Sequence, residues 1–150
     1  MRSASYLFSV VLTALALAFA APALAQDAAA TVTAPELEWQ SVITGQIEAF
    51  RHNDAPAAFS FAASGFQENF PSARIFFDAI MASGYEPIMT STSHNFGKFR
   101  FDAASDDVVQ QVMFVGPHQE LFEAIYNLAR EANGWRVVGV MLGTPTGIGV

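Results

Sequence analysis

Apolar and polar positions along the chain change period once, near Gly84. Before it they recur at helical spacing. Trp39, Ile43, Ile47 and Phe50 follow one another at steps of four, four and three, which puts them on one stripe of a helix running to about Arg51. Thr33 followed by Glu36 three residues on has the form of a capping box and marks that helix's start. His52-Asn53-Asp54 breaks the pattern. Asp54 then reads as the N-cap of a second, short helix with Pro56 in its first turn, carrying Ala57, Ala58, Phe59, Phe61 and Ala62 and ending at Ser64-Gly65. Phe66 to Phe70 is expected as a helical turn or loop. Pro71 opens a third helix whose inward side is Ile75, Phe76, Ile80 and Phe77, with Gly84 placed as the residue after its end that takes positive φ.

Beyond Gly84 the segments read as strands. Tyr85–Met89 is expected to be a short strand. Phe96–Asp102 alternates, with Phe96, Lys98 and Arg100 on one face and Gly97, Phe99 and Phe101 on the other. Val108–Val115 (VVQQVMFV) is β-branched and apolar. Leu121–Arg130 fits both periods. Asn133-Gly134 is a hairpin signal and needs a strand before it as well as after it, so the segment is assigned as strand, and Trp135–Leu142 as its partner. The expected architecture is α+β: three N-terminal helices packed on a curved antiparallel sheet of about four to five strands.

The ends of the chain lie outside this pattern. Arg2, the uncharged apolar run Tyr6–Ala20 and the A-x-A site Ala23-Leu24-Ala25 have the form of a signal peptide cleaved after Ala25. The organisation expected is therefore a signal peptide over 1–25, a linker over 26–35, one domain over 36–142 and a Gly/Pro tail over 143–150. Export to the periplasm or the medium follows, with membrane contact only through the signal peptide before cleavage.

Composition narrows the function. The chain has 150 residues, no cysteine and a formal charge of −7. Disulfides, thiolate metal sites and a cysteine nucleophile are excluded. An acidic chain without clustered Lys or Arg is not built for phosphate backbones, so no nucleic-acid partner is expected. Twelve of the fourteen phenylalanines lie beyond the expected signal peptide, and with two tryptophans they are ample for one core without disulfides. P-loop, GxGxxG, G-x-S-x-G and H-E-x-x-H motifs are absent, so neither cofactor nor metal is expected.

A set of short motifs does carry a resemblance. Gln46, Ile47, Ala49 and Phe50 come first. Asn53-Asp54 follows with Ala57, Phe61 and Ala62. Next come Gly84-Tyr85 with Pro87, Gln110-Gln111-Val112, and Tyr126 with Leu128. Gly134-Trp135-Arg136-Val137 with Gly139-Val140 closes the order. In this order they resemble a domain-of-unknown-function family of small secreted bacterial proteins, related to the nuclear-transport-factor-two-like cone folds that include SnoaL-like and ketosteroid-isomerase-like enzymes. The resemblance implies three helices over a strongly bent sheet with a cavity at the open end. It implies no activity, since that superfamily spans enzymes and binding modules.

The candidate residues divide by chemistry. His52 and Asp54 read as a polar inter-helix turn with a cap. His94 and His118 sit in separate polar turns. Asp78 lies within the apolar third helix. Turned inward it would be a general acid or base, although its spacing favours the solvent face. Asp78 and His94 are the candidate acid–base groups and Tyr126 the candidate oxyanion donor. Gln110, Gln111, Tyr126 and Trp135 are the candidate ligand-binding side chains, because one of two successive glutamines on a strand must face inward and needs hydrogen-bond partners there. Lys98 and Arg100 form the local basic spot, fit for an anion or for protecting an edge. The function expected is a non-catalytic domain binding a small apolar molecule or an envelope protein in or beside the cavity. The alternatives are a cavity enzyme of isomerase, dehydratase or hydrolase type and a structural envelope module, with a homodimer through the sheet compatible with each.

Overall fold

The computed structural model describes residues 37–143. The signal-peptide and linker assignments, the Thr33/Glu36 box and the tail beyond Gly143 lie outside the described residues. Helix α1 spans Glu38–Arg51, with Leu37 at its N-cap. The Gln40 side chain accepts from the Leu37 backbone N–H at 3.3 Å. Ile43, Ile47 and Phe50 are buried, as their spacing required, and Gln46 and Ala49 are buried between them.

Helix α2 (Ala55–Ser60) begins as expected: Asp54 Oδ1 accepts from the Ala57 N–H at 3.0 Å. It ends at Ser60, and Ser64-Gly65 opens a further helix rather than closing this one. That helix, α3 (Ser64–Asn69), takes its cap from far along the chain, because Glu131 Oε1 accepts from both the backbone N–H and the hydroxyl of Ser64. Helix α4 (Ala73–Ile80) is capped by Ser72 and buries Phe76 and Phe77. Ile75, expected inward, is half exposed. A π-helical turn over Met81–Tyr85 contains Gly84 at φ 94°, a backbone only glycine adopts readily. Tyr85–Met89 is not a strand. Helix α5 (Glu86–Thr90) restarts there with Pro87 in its first turn, where proline's fixed φ suits a helix. The expected three helices are thus five short pieces.

The sheet is a four-stranded antiparallel meander, β1 (Ser93–Asp102), β2 (Asp107–Val115), β3 (Leu121–Glu131) and β4 (Gly134–Leu142), in sequence order. Leu121–Glu131 is strand, as the hairpin argument required. The loop proper is Ala132-Asn133, with Glu131 opposite Gly134 and Gly134 at φ 105°. β2 from Val108 and β3 as far as Ala129 alternate between buried and half-buried positions.

Two bulges shift the parity elsewhere. In β1 the register slips between Phe96 and Phe99, so Phe96, Phe99 and Phe101 all pair with buried inner residues (Val112, Gln110 and Val108). The expected grouping of Arg100 with Phe96 is therefore overturned: an inserted residue moves Arg100 to the outer face, opposite Val109. In β4 the slip falls at Val138, so Val137 and Val140 both turn inward while Val138 and Met141 are exposed. The helices cover the inner face. The segment Phe61–Ala63 also pairs with β4, with Val137 N–H donating to Phe61 O at 2.9 Å and Ala63 N–H to Val137 O at 2.8 Å. That bridge occupies part of an edge that would otherwise be bare.

Candidate functional site

Helices and sheet do not close completely on one another. A cavity of about 320 Å³ remains between them. Gln46 and Phe50 of α1 form one wall, and Phe66, Phe76 and Ile80 of α3 and α4 another. Tyr85 and Ile88 stand at the turn into α5. Tyr126 of β3 with Val137 and Val140 of β4 make the floor. The lining is overwhelmingly apolar and carries no acidic, basic or imidazole side chain. The β4 bulge matters here, because without it Val137 and Val140, three apart, would face opposite sides of the sheet.

Two polar atoms in this wall have no partner: Gln46 Oε1 and the Tyr126 hydroxyl. Gln46 is 3% exposed and Tyr126 not at all. The Gln46 amide is half used, since Nε2 donates to the Ala58 carbonyl at 3.2 Å. Buried polar atoms of a folded protein are normally paired, so two orphans on one cavity are an unusual concentration. Burial raises the Tyr126 pKa well above its ordinary value of 10.0, against a smaller opposite pull from Arg51, so the phenol stays neutral and can only donate or accept a hydrogen bond. Arg51 is itself held by Glu48 at 2.6 Å and by the Ser91 hydroxyl at 2.9 Å. The other two polar side chains of the lining are already partnered: the Tyr85 hydroxyl donates to the Val140 carbonyl at 2.5 Å and the Ser83 hydroxyl to the Ala79 carbonyl at 2.7 Å.

Of the candidates drawn from the sequence, only Tyr126 lines the cavity. Asp78 sits on the outer side of α4, paired with Arg74, whose Nε donates to it at 2.9 Å. This contact holds the Asp78 pKa below the usual carboxylate range. His94 bonds Thr44 Oγ1 at 3.2 Å and packs edge-on against Phe96, away from the lining. The structure therefore does not bring Asp78, His94 and Tyr126 together.

Gln110 is fully buried and fully used. Its Oε1 accepts from Trp39 Nε1 at 3.1 Å and Gln40 Nε2 at 3.2 Å, and its Nε2 donates to the carbonyls of Gly97, Lys98 and Gln111. Gln111 works from the other face, accepting from Lys98 N–H at 3.1 Å and donating to Glu123 at 2.7 Å. The two glutamines together hold the β1 bulge. Trp135 is buried against Trp39 and Phe101, and Arg130 lies over its ring. A second hollow, of about 290 Å³, is formed by Arg100, Asp102, Asp107, Asn127, Val138 and neighbours. It carries both signs of charge and no orphaned atom.

Gln46 was not among the candidates, though its position carried a signal. It follows Ile43 by three and precedes Phe50 by four, so it shares their buried stripe, where a glutamine needs an explanation.

No curated protein and no solved structure matches the chain significantly. One family model does, over residues 30–149, which takes in the whole cavity and nearly all of the chain. The chain therefore belongs to the DUF4864 family, a domain of unknown function.

Proposed function

We propose that this domain is a binding module whose internal cavity takes a compact, mostly apolar small molecule. The observation that carries the reading is the cavity itself. At about 320 Å³ it falls within the range of ligand pockets, roughly 300–1,000 Å³, and its walls are mostly apolar side chains of the core and its margin. It is about twice the ~150 Å³ that accepts a benzene-sized guest in an engineered apolar cavity. Binding is favoured over acid–base catalysis because the polar side chains of the wall are an amide, two phenols and one serine hydroxyl, with no carboxylate, amine or imidazole among them.

The apolar leader of the sequence supports export, so we place the domain in the periplasm or outside the cell. We also read the helices-over-sheet layout around a hollow as kin to the nuclear-transport-factor-two-like cone folds. Titration with naphthalene, followed by thermal unfolding, tests the proposal. The expected result is a saturable rise in Tm for the native chain that is lost in the double variant Ile80→Trp/Val140→Trp, which crowds the cavity from two half-buried positions, one on α4 and one on β4. An unchanged Tm across the titration, or a rise equal in both proteins, would refute it.

A further inference from the structure

The two orphaned atoms define what the ligand must carry. Gln46 Oε1 can only accept, because its amide nitrogen is already turned to Ala58. The Tyr126 hydroxyl can donate or accept, and burial keeps its proton on. A group that satisfies Gln46 must bring a donor hydrogen. One that satisfies Tyr126 most simply brings a lone pair. A neutral hydroxyl supplies both.

Charge excludes the nearest rivals. The lining holds no cation to balance a carboxylate or phosphate, and Gln46 would meet such a group acceptor to acceptor. The lining holds no anion to balance an ammonium either. A charged group entering this wall would be desolvated without compensation. Arg51, whose charge acts on Tyr126, is committed to Glu48 and Ser91. A pure hydrocarbon would fill the volume and leave both polar atoms orphaned.

We infer that the cavity selects neutral, hydroxyl-bearing apolar molecules, of about two fused rings in size, with the hydroxyl held by Tyr126 and Gln46. This rests on the binding proposed above and adds to it the chemical class. A matched series separates the two: naphthalene, 1-naphthol and 1-naphthoate, titrated at pH 7 into the full chain and into Tyr126→Phe.

The expected order is 1-naphthol about tenfold tighter than naphthalene, the value of one good hydrogen bond, with 1-naphthoate weakest. In Tyr126→Phe the ratio of naphthol to naphthalene affinity should shrink at least threefold, and a cooperative thermal transition of the free variant shows that it is folded. Equal affinity for naphthol and naphthalene, an unshrunken advantage in Tyr126→Phe, or naphthoate binding tightest would each overturn the assignment of class and leave cavity binding standing. Failure of all three probes would overturn cavity binding together with it.

Discussion

Removing a hydroxyl from the core should make this protein more stable when no ligand is present. Tyr126 is fully buried and its hydroxyl has no partner, so the folded state carries a desolvated polar group without compensation. Such a group costs about 1–3 kcal/mol, and replacing it by an apolar group of nearly the same shape recovers most of that. A single oxygen leaves little space, and Tyr126 already lines a cavity, so the cavity penalty is small. Tyr126→Phe should therefore gain about 1–2 kcal/mol. In a domain of this size that raises Tm by roughly 4 °C or more. Urea unfolding should show a higher midpoint at an unchanged m-value. Tyr85→Phe is the internal contrast. Its hydroxyl does have a partner, the Val140 carbonyl, and deleting it should cost about 1–2 kcal/mol. A Tyr126→Phe protein that is less stable than the native one by 1 kcal/mol or more would show that the hydroxyl is satisfied within the protein, and the reasoning about orphaned atoms would fail.

Three further outcomes follow from the geometry. The folded state holds Tyr126 protonated beyond its ordinary value of 10.0, so above that pH the unfolded chain releases a proton that the folded chain keeps; stability then falls with pH, by about 1.4 kcal/mol per unit from this group, and alkaline denaturation of Tyr126→Phe should lose that part of the slope. Gln110→Leu strips two donors and three carbonyls of their partner at the β1 bulge and should cost about 2–4 kcal/mol, with a shift in Trp39 fluorescence as its indole N–H is released. Asp54→Ala removes the α2 cap and should cost about 1 kcal/mol in chemical denaturation, without altering naphthalene affinity.

What could be read from residues alone was what local chemistry decides. Asp54 caps α2 because its own side chain reaches three residues on. The strand before Asn133-Gly134 was recoverable because a hairpin needs two arms. The misplacements share a different cause. α3 is capped by Glu131, 67 residues away, so Ser64-Gly65 looked like an end when it is a beginning. Alternation in β1 was read straight through, yet one inserted residue at its bulge reverses which face every later side chain takes. Pro87 marked a helical first turn, but the run Tyr85–Met89 is too short for its period to show.

The site divided in the same way. Gln110 looked like a ligand contact because a buried glutamine needs partners, and Trp39 and Gln40 of α1 together with the β1–β2 backbone supply them all. Gln46 met the same test from the buried stripe of α1, and in its case half of the amide is left over. Which of the two is satisfied depends on tertiary neighbours: α1 and the sheet surround Gln110 with five partners, whereas α2 offers Gln46 the single carbonyl of Ala58.

The central claim is that the hollow between helices and sheet is a ligand site, and methyl NMR reads it most directly. On adding naphthalene, the methyls of Ile88, Val137 and Val140 should move saturably, while those of Val108 and Val112, buried on the same sheet face outside the lining, should stay in place. Shifts confined to the exposed Val138 and Met141, or no shifts at all, would contradict it.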